Sequence, residues 1–166
     1  DYAHVSILTG DQDMLQLLDD SISVILLKKG YGNYLVHTPE TFLEEKGITP
    51  RQMIDLKALM GDTSDNYPGV RGIGEKTALK LLKEFDHVEG IISNLERLSK
   101  SNKTKIEQDL EMLHLSRTLA EIKCDVPVSC ALDEAGLRIE KEKAMNKLME
   151  LELRGLQRLL PIDEVF

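Results

Sequence analysis

The stretch Gly69–Phe85, GVRGIGEKTALKLLKEF, constrains the fold of this chain more than any other. Gly69, Gly72 and Gly74 surround apolar Val70 and Ile73, and the loop opens directly into a helix with Ala78, Leu81, Leu82 and Phe85 at helical spacing. Glycine lets a backbone turn tightly and bring its N–H groups against a ligand, and a helix N-terminus favours an anion. Lys76 and Lys80 add charge to the same phosphate site, and Arg71 extends it. Such contacts hold a nucleic-acid backbone without reading its sequence. A tight turn between packed helices is the competing explanation, strong for any two glycines and weak for the whole pattern.

Two acidic pairs precede this loop. Asp11 and Asp13 stand in TGDQD directly after the apolar run Val5–Thr9, where an open α/β sheet places its ligands. One of them could instead cap the helix that follows. Asp62 and Asp65 stand in GDTSDN, between a helix end and the glycine loop. An i, i+3 spacing brings such a pair to one side, and hard carboxylate oxygens suit Mg²⁺ or Mn²⁺. Ordinary turn chemistry also uses Asp, Asn, Ser and Gly.

Around these motifs the chain reads as α/β and then helical. Val5–Thr9 and Ile22–Leu27 are strands flanking a helical pattern at Met14–Leu18, with 31–37 a partner strand. Helices are expected from Thr38 or Thr41 to Lys46, from Thr49-Pro50 to Met60, and over 75–85, 88–98, 105–119 and 141–160. The link from Cys124 to Leu132 reads as extended. Three regions follow: 1–38, α/β; 39–86, helices around the glycine loop with the candidate metal ligands; and 87–166, helical.

A net charge of −8 argues against indiscriminate nucleic-acid binding, but its distribution is uneven. Arg97, Lys100, Lys103 and Lys105 lie in one stretch without an acid, which permits a local phosphate-binding face. No run approaches the roughly 18 apolar residues of a membrane span. Cys124 and Cys130 lack a nearby histidine and read as thiols of a reducing cytosol. The four histidines form no ligand spacing.

Taken together, TGDQDMLQLL, GDTSDNYPGV and RGIGEKTALKLL resemble the bacterial 5′-3′ exonuclease and flap endonuclease family, found alone or as the N-terminal domain of DNA polymerase I. The match is close from Thr9 to about Phe85 and less diagnostic beyond. The resemblance implies part of a PIN-like 5′ nuclease core sheet followed by a mainly helical helix-hairpin-helix region. It implies two divalent ions, with Asp11, Asp13, Asp62 and Asp65 as ligands from the second half of the site. It makes Gly69, Arg71, Gly72, Gly74, Lys76 and Lys80 the DNA clamp, with the basic stretch from Arg97 as a further contact. A K⁺ ion on hairpin carbonyls is implied at Val70 and Ile73, with Ser64 a weaker candidate.

The implied activity is two-metal phosphodiester hydrolysis on DNA with a 5′ end or flap, and on RNA primer ends, by a cytoplasmic monomer. The family's first half supplies a further aspartate, a basic arch and more acids, which do not precede Asp1. The expectation is therefore a fragment that cleaves poorly or not at all and binds DNA in a salt-sensitive way. A DNA-holding module without chemistry is the alternative. A haloacid dehalogenase phosphatase would use the DxD of Asp11 and Asp13, but gives the glycine hairpin no place.

Overall fold

The computed structural model describes residues 4–30, 32–131, 135–137 and 139–160. Strand β1 (Val5–Thr9) pairs in parallel with β2 (Ile22–Leu27), and β3 (Tyr34–His37) pairs antiparallel with β2. The order is β1-β2-β3, with Val5 opposite Ile22 and Val24 opposite His37. The expected partner strand is shorter than 31–37, because Lys28 N–H donates to the Asn33 carbonyl at 2.9 Å and closes a turn first. Tyr31 lies outside the described residues.

Parallel strands need a crossover, and here it is only residues 10–21. That length leaves no room for a long helix. The expected helical segment is a 3₁₀ turn, Gln12–Leu17, after which the Asp19–Ile22 bridge returns the chain to the sheet.

The helices follow their punctuation. Helix α1 (Pro39–Lys46) starts with a capping box: the Thr38 hydroxyl accepts from Thr41 N–H, and the Thr41 hydroxyl accepts from Thr38 N–H. It ends at Gly47, φ 68°. Helix α2 (Gln52–Met60) begins after a turn over Thr49-Pro50. Every residue from Met53 to Leu59 in it is buried, as suits a helix enclosed on all sides. Helix α3 (Glu75–Phe85) buries Ala78, Leu81, Leu82 and Phe85, the stripe its spacing predicts.

Beyond α3, three expected helices are broken. Helix α4 (Val88–Ser93) is followed by a short 3₁₀ turn. The helix expected over 105–119 is two, α5 (Lys100–Gln108) and α6 (Leu110–Ala120), meeting at Asp109 with φ −114° and ψ 23°. Helix α7 (Lys141–Glu150) stops where Glu152 takes φ 57°, and a 3₁₀ turn, Arg154–Leu159, follows.

Residues 1–124 form one compact unit and residues 125–166 a second. The first holds the core: Val24 from the sheet, Phe42 from α1, Leu56 and Leu59 from α2, Leu82 from α3, Ile91 from α4, Ile106 from α5 and Leu113 from α6. Burying each such side chain stabilises the fold by about 1.5–3 kcal/mol. Helix α2 packs on α6, α3 and the 3₁₀ turn after β1. It therefore joins the segment carrying Asp13 to the loop carrying Asp62.

Candidate metal centre and nucleic-acid interface

Asp11 and Asp13 divide their work. The Asp11 carboxylate caps the 3₁₀ turn by accepting from Asp13 N–H at 2.9 Å, while its own N–H donates to Thr9 Oγ1 at 3.0 Å. The capping role weighed for this pair is thus filled by Asp11, and the cap holds Asp13 in place. Asp13 extends to the ammonium of Lys57, an α2 residue whose side chain is only 6% exposed.

The second pair arrives from the end of α2. Asp62 N–H donates to the Tyr67 carbonyl at 2.9 Å, and Tyr67 N–H returns a bond to Asp62 at 3.1 Å. Within that closed loop the Asp62 carboxylate accepts from Ser64 N–H at 2.7 Å, from Asp65 N–H at 3.3 Å and from the Ser64 hydroxyl. Lys57 donates to its other oxygen at 2.6 Å. Close backbone approach keeps the loop in this position. A Cβ on Gly61, at φ 74°, would lie 2.5 Å from the Pro68 carbonyl oxygen, and one on Gly69, at φ 60°, 2.8 Å from that of Leu59.

Carboxylate oxygens of Asp13, Asp62 and Asp65 converge within 4.8 Å of one another. Asp11 stands outside this set and lines, with Asp62, Asp65 and Lys57, an adjoining cavity of about 600 Å³. Lys46 and Glu75, paired at 2.8 Å, line the same cavity.

The electrostatics are those of a crowded anionic site. Hydrogen bonds from Lys57 and Ser64 hold the Asp62 carboxyl well below the usual carboxylate range. Asp13 shifts the opposite way: burial raises it, and the Lys57 contact offsets only part of that, with Asp11 and Asp65 adding repulsion. Burial works against the Lys57 ammonium, but its hydrogen bonds to Asp13 and Asp62 prevail and raise its pKa. The buried Tyr67 hydroxyl, which has no hydrogen-bond partner among the described residues, is pushed up to about 12 by burial. Three oxygen donors with excess negative charge suit a hard divalent cation.

Lys57 and Tyr67 were missed by motif reading. A signal for the lysine existed: in MIDLKALM it is a charge on a helix otherwise nearly apolar all round, and a lysine buried there needs a carboxylate partner.

The hairpin is also built as expected in outline. Val70 N–H donates to the Leu59 carbonyl at 2.9 Å, and Ile73 N–H to the Val70 carbonyl at 3.0 Å, with Gly72 at φ 79°. Gly74 stands extended at the N-cap of α3 with no side-chain cap; Thr77 N–H donates to the Gly74 carbonyl at 3.0 Å, and the N–H groups of Glu75 and Lys76 keep their anion-binding character. Ser64 is committed to Asp62.

The proposed basic contacts fall into two groups. Lys76, Lys80 and Lys100 are exposed and pair with no acid among the described residues. The others are engaged. Arg71 grips Asp109, Lys105 donates to the Gly72 carbonyl at 2.9 Å, and Lys103 pairs with Glu96 and Glu107. Arg97 lies 3.6 Å from Glu84 and over the Phe85 ring. The acid-free look of residues 97–105 is thus a property of the sequence alone, since Glu84 and Glu96 meet this stretch from outside it and Glu107 from the next turn of α5.

Most of this chain is similar to known proteins. Residues 48–144 match the family model described as 5′-3′ exonuclease, C-terminal SAM fold. The chain is 51% identical over 158 residues to a 5′-3′ exonuclease of Bacillus subtilis (strain 168), covering 95% of this chain and 53% of that protein. It is 45% identical over 147 residues to DNA polymerase I of Lactococcus lactis subsp. lactis, covering 88% of this chain and 17% of the polymerase. It therefore spans about half of one relative and a small part of the other.

Among solved structures it is similar to a bacteriophage T5 5′-exonuclease with bound zinc, at TM-score 0.63 and 30% identity, over 72% of this chain and 43% of that one. A T5 flap endonuclease complex with DNA and metal ions matches at TM-score 0.63 and 29% identity, with the same coverage.

Proposed function

The chain belongs to the 5′-3′ exonuclease family, and from that premise we propose that it supplies the carboxylate ligands and DNA clamp of a divalent-metal-dependent 5′ nuclease. The observation that carries this is the convergence of Asp13, Asp62 and Asp65 from segments about fifty residues apart. In the longer protein the activity would be phosphodiester hydrolysis as a 5′-3′ exonuclease and structure-specific 5′ flap endonuclease. The substrates proposed are DNA with a 5′ end or flap and RNA primer ends.

Mg²⁺ or Mn²⁺ fits the donor set, and Asp13, Asp62 and Asp65 would hold it, with Asp11 contributing to a second ion or orienting Asp13. The chemistry supplied by such ions is Lewis-acid activation of water and neutralisation of charge on the scissile phosphate. The chain's own residues prepare the place. Ser64 fixes Asp62, the Asp11 cap fixes Asp13, and Lys57 offsets the crowded negative charge.

The hairpin from Gly69 to Gly74 and the first turn of α3 would hold the duplex backbone, with Lys76, Lys80 and Lys100 as the exposed charges. A K⁺ ion at the hairpin would rest on the Val70 and Ile73 carbonyls. Replacing K⁺ by Li⁺ at fixed ionic strength without effect on duplex affinity would remove that ion from the account. We assign regions 1–38, 39–86 and 87–166 to core, clamp and helical support, although 1–124 packs as one unit. No helix among the described residues is long and apolar enough to cross a membrane, and a cytoplasmic monomer is the setting proposed.

The test is a labelled 5′-flap DNA incubated with Mg²⁺ and the longer protein, with and without Asp62→Asn combined with Asp65→Asn. Loss of cleavage with retained DNA binding is expected. Cleavage that survives refutes the ligand assignment. A longer wild-type protein that binds the flap and never cuts it favours the binding-module alternative.

A further inference from the structure

Three side chains from α5, α6 and the junction between them grip the hairpin. Gly69 N–H donates to the hydroxyl of fully buried Ser116 at 3.2 Å. Arg71 N–H donates to Asp109 Oδ2 at 2.8 Å, and its guanidinium Nε donates to both Asp109 oxygens at 3.0 Å, with a further bond from the terminal nitrogen. Lys105 donates to the Gly72 carbonyl. The Asp109 side chain is 8% exposed although its partner Arg71 is 78% exposed. Asp109 is therefore an internal acceptor facing the hairpin, placed there by the break between α5 and α6.

We propose that Asp109 is a positioning residue for the DNA-binding hairpin, and that Arg71 is its tether rather than a phosphate contact. The inference rests on the hairpin's proposed role in holding DNA. Its physical basis is preorganisation. A loop with glycines at 69, 72 and 74 would be mobile alone, and a loop that orders only on binding loses affinity to entropy. Asp109 fixes the backbone N–H of residue 71 directly and the peptide's direction through the guanidinium. Asp109 takes the Nε–H and one terminal N–H of Arg71 and balances its charge, so the pair presents phosphate with little net attraction.

The sign of the effect separates this from simple electrostatics. Removing an acid near a DNA site should tighten binding and steepen its salt dependence, especially if an arginine is released. The brace predicts the reverse. The experiment measures binding of a fluorescent duplex to the full chain at low salt by anisotropy, for wild type, Asp109→Asn, Arg71→Met and the double variant. Amide hydrogen exchange over residues 69–74 is followed in parallel.

Asp109→Asn and Arg71→Met should each weaken binding by about fivefold, and the double variant no further, because they break one interaction. Exchange should accelerate at 69–74 and stay unchanged in α2, which shows that the fold persists. Arg71→Met alters an exposed side chain, so it keeps the test valid should Asp109→Asn fail to fold. Unchanged or tighter binding by Asp109→Asn overturns the proposal, as do additive losses in the double variant. A wild-type chain with no salt-sensitive duplex binding overturns the hairpin's proposed role itself, and the brace with it.

Discussion

Replacing Lys57 by methionine isolates what the buried ammonium does for the carboxylate cluster. The substitution keeps the volume inside α2 and deletes the charge that Asp13 and Asp62 share. Two carboxylates within 4.8 Å then face each other unscreened by a cation. At an effective dielectric of about 20 that repulsion is roughly 3 kcal/mol, and losing one partner of a buried ion pair costs about 3–5 kcal/mol. Because Asp13 and Asp62 keep some solvent contact, about 3 kcal/mol is the expected loss in urea unfolding near pH 8 with a chelator present. A divalent ion can take over the ammonium's charge, and any ligand bound only by the folded state adds stability. Saturating Mg²⁺ should therefore recover more stability in Lys57→Met than in wild type. A loss under about 1 kcal/mol, the usual worth of an exposed pair, would refute the reasoning. So would an equal loss with and without Mg²⁺.

Other predictions follow from the same geometry. Gly69→Ala, at φ 60° against the Leu59 carbonyl, should destabilise the chain by about 2 kcal/mol or more, whereas Gly74→Ala, extended and in open space, should change stability little; thermal melts compare them. Lys76→Ala should lower the slope of duplex affinity against salt by about one, and Lys103→Ala by less, because Glu96 and Glu107 already neutralise Lys103. Asp62, held below its ordinary 3.8, contributes stability present above about pH 4 and lost as pH falls through its folded value. Asp13, raised, acts with the opposite sign, its contribution present below its unfolded value and lost as pH rises through the folded one. Acid titration of Asp62→Asn should lack the first component, and an unchanged acid limb would contradict the assignment.

Much of this was legible in the sequence because it is local. A glycine loop with apolar residues at fixed offsets, a threonine-proline cap and a helical stripe each carry their own signal, and α1, α3 and the hairpin form where those signals lie. Asp13, Asp62 and Asp65 were legible as candidates because acids beside turns are visible one by one. What eluded reading depends on distant partners. The 3₁₀ turn after β1 is shortened by the demand of a parallel pairing, and the break at Asp109 coincides with a grip on Arg71, 38 residues away. Whether Arg71 or Lys103 is free to meet phosphate is decided by acids outside their own segments. Composition cannot show that.

Asp13, Asp62 and Asp65 are proposed to form one divalent-ion site. Titrating Mn²⁺ into the chain, with free ion followed by electron paramagnetic resonance, tests it most directly. Wild type should show one saturable site that Asp62→Asn with Asp65→Asn abolishes while the fold persists. Equal Mn²⁺ binding by that folded double variant would contradict it.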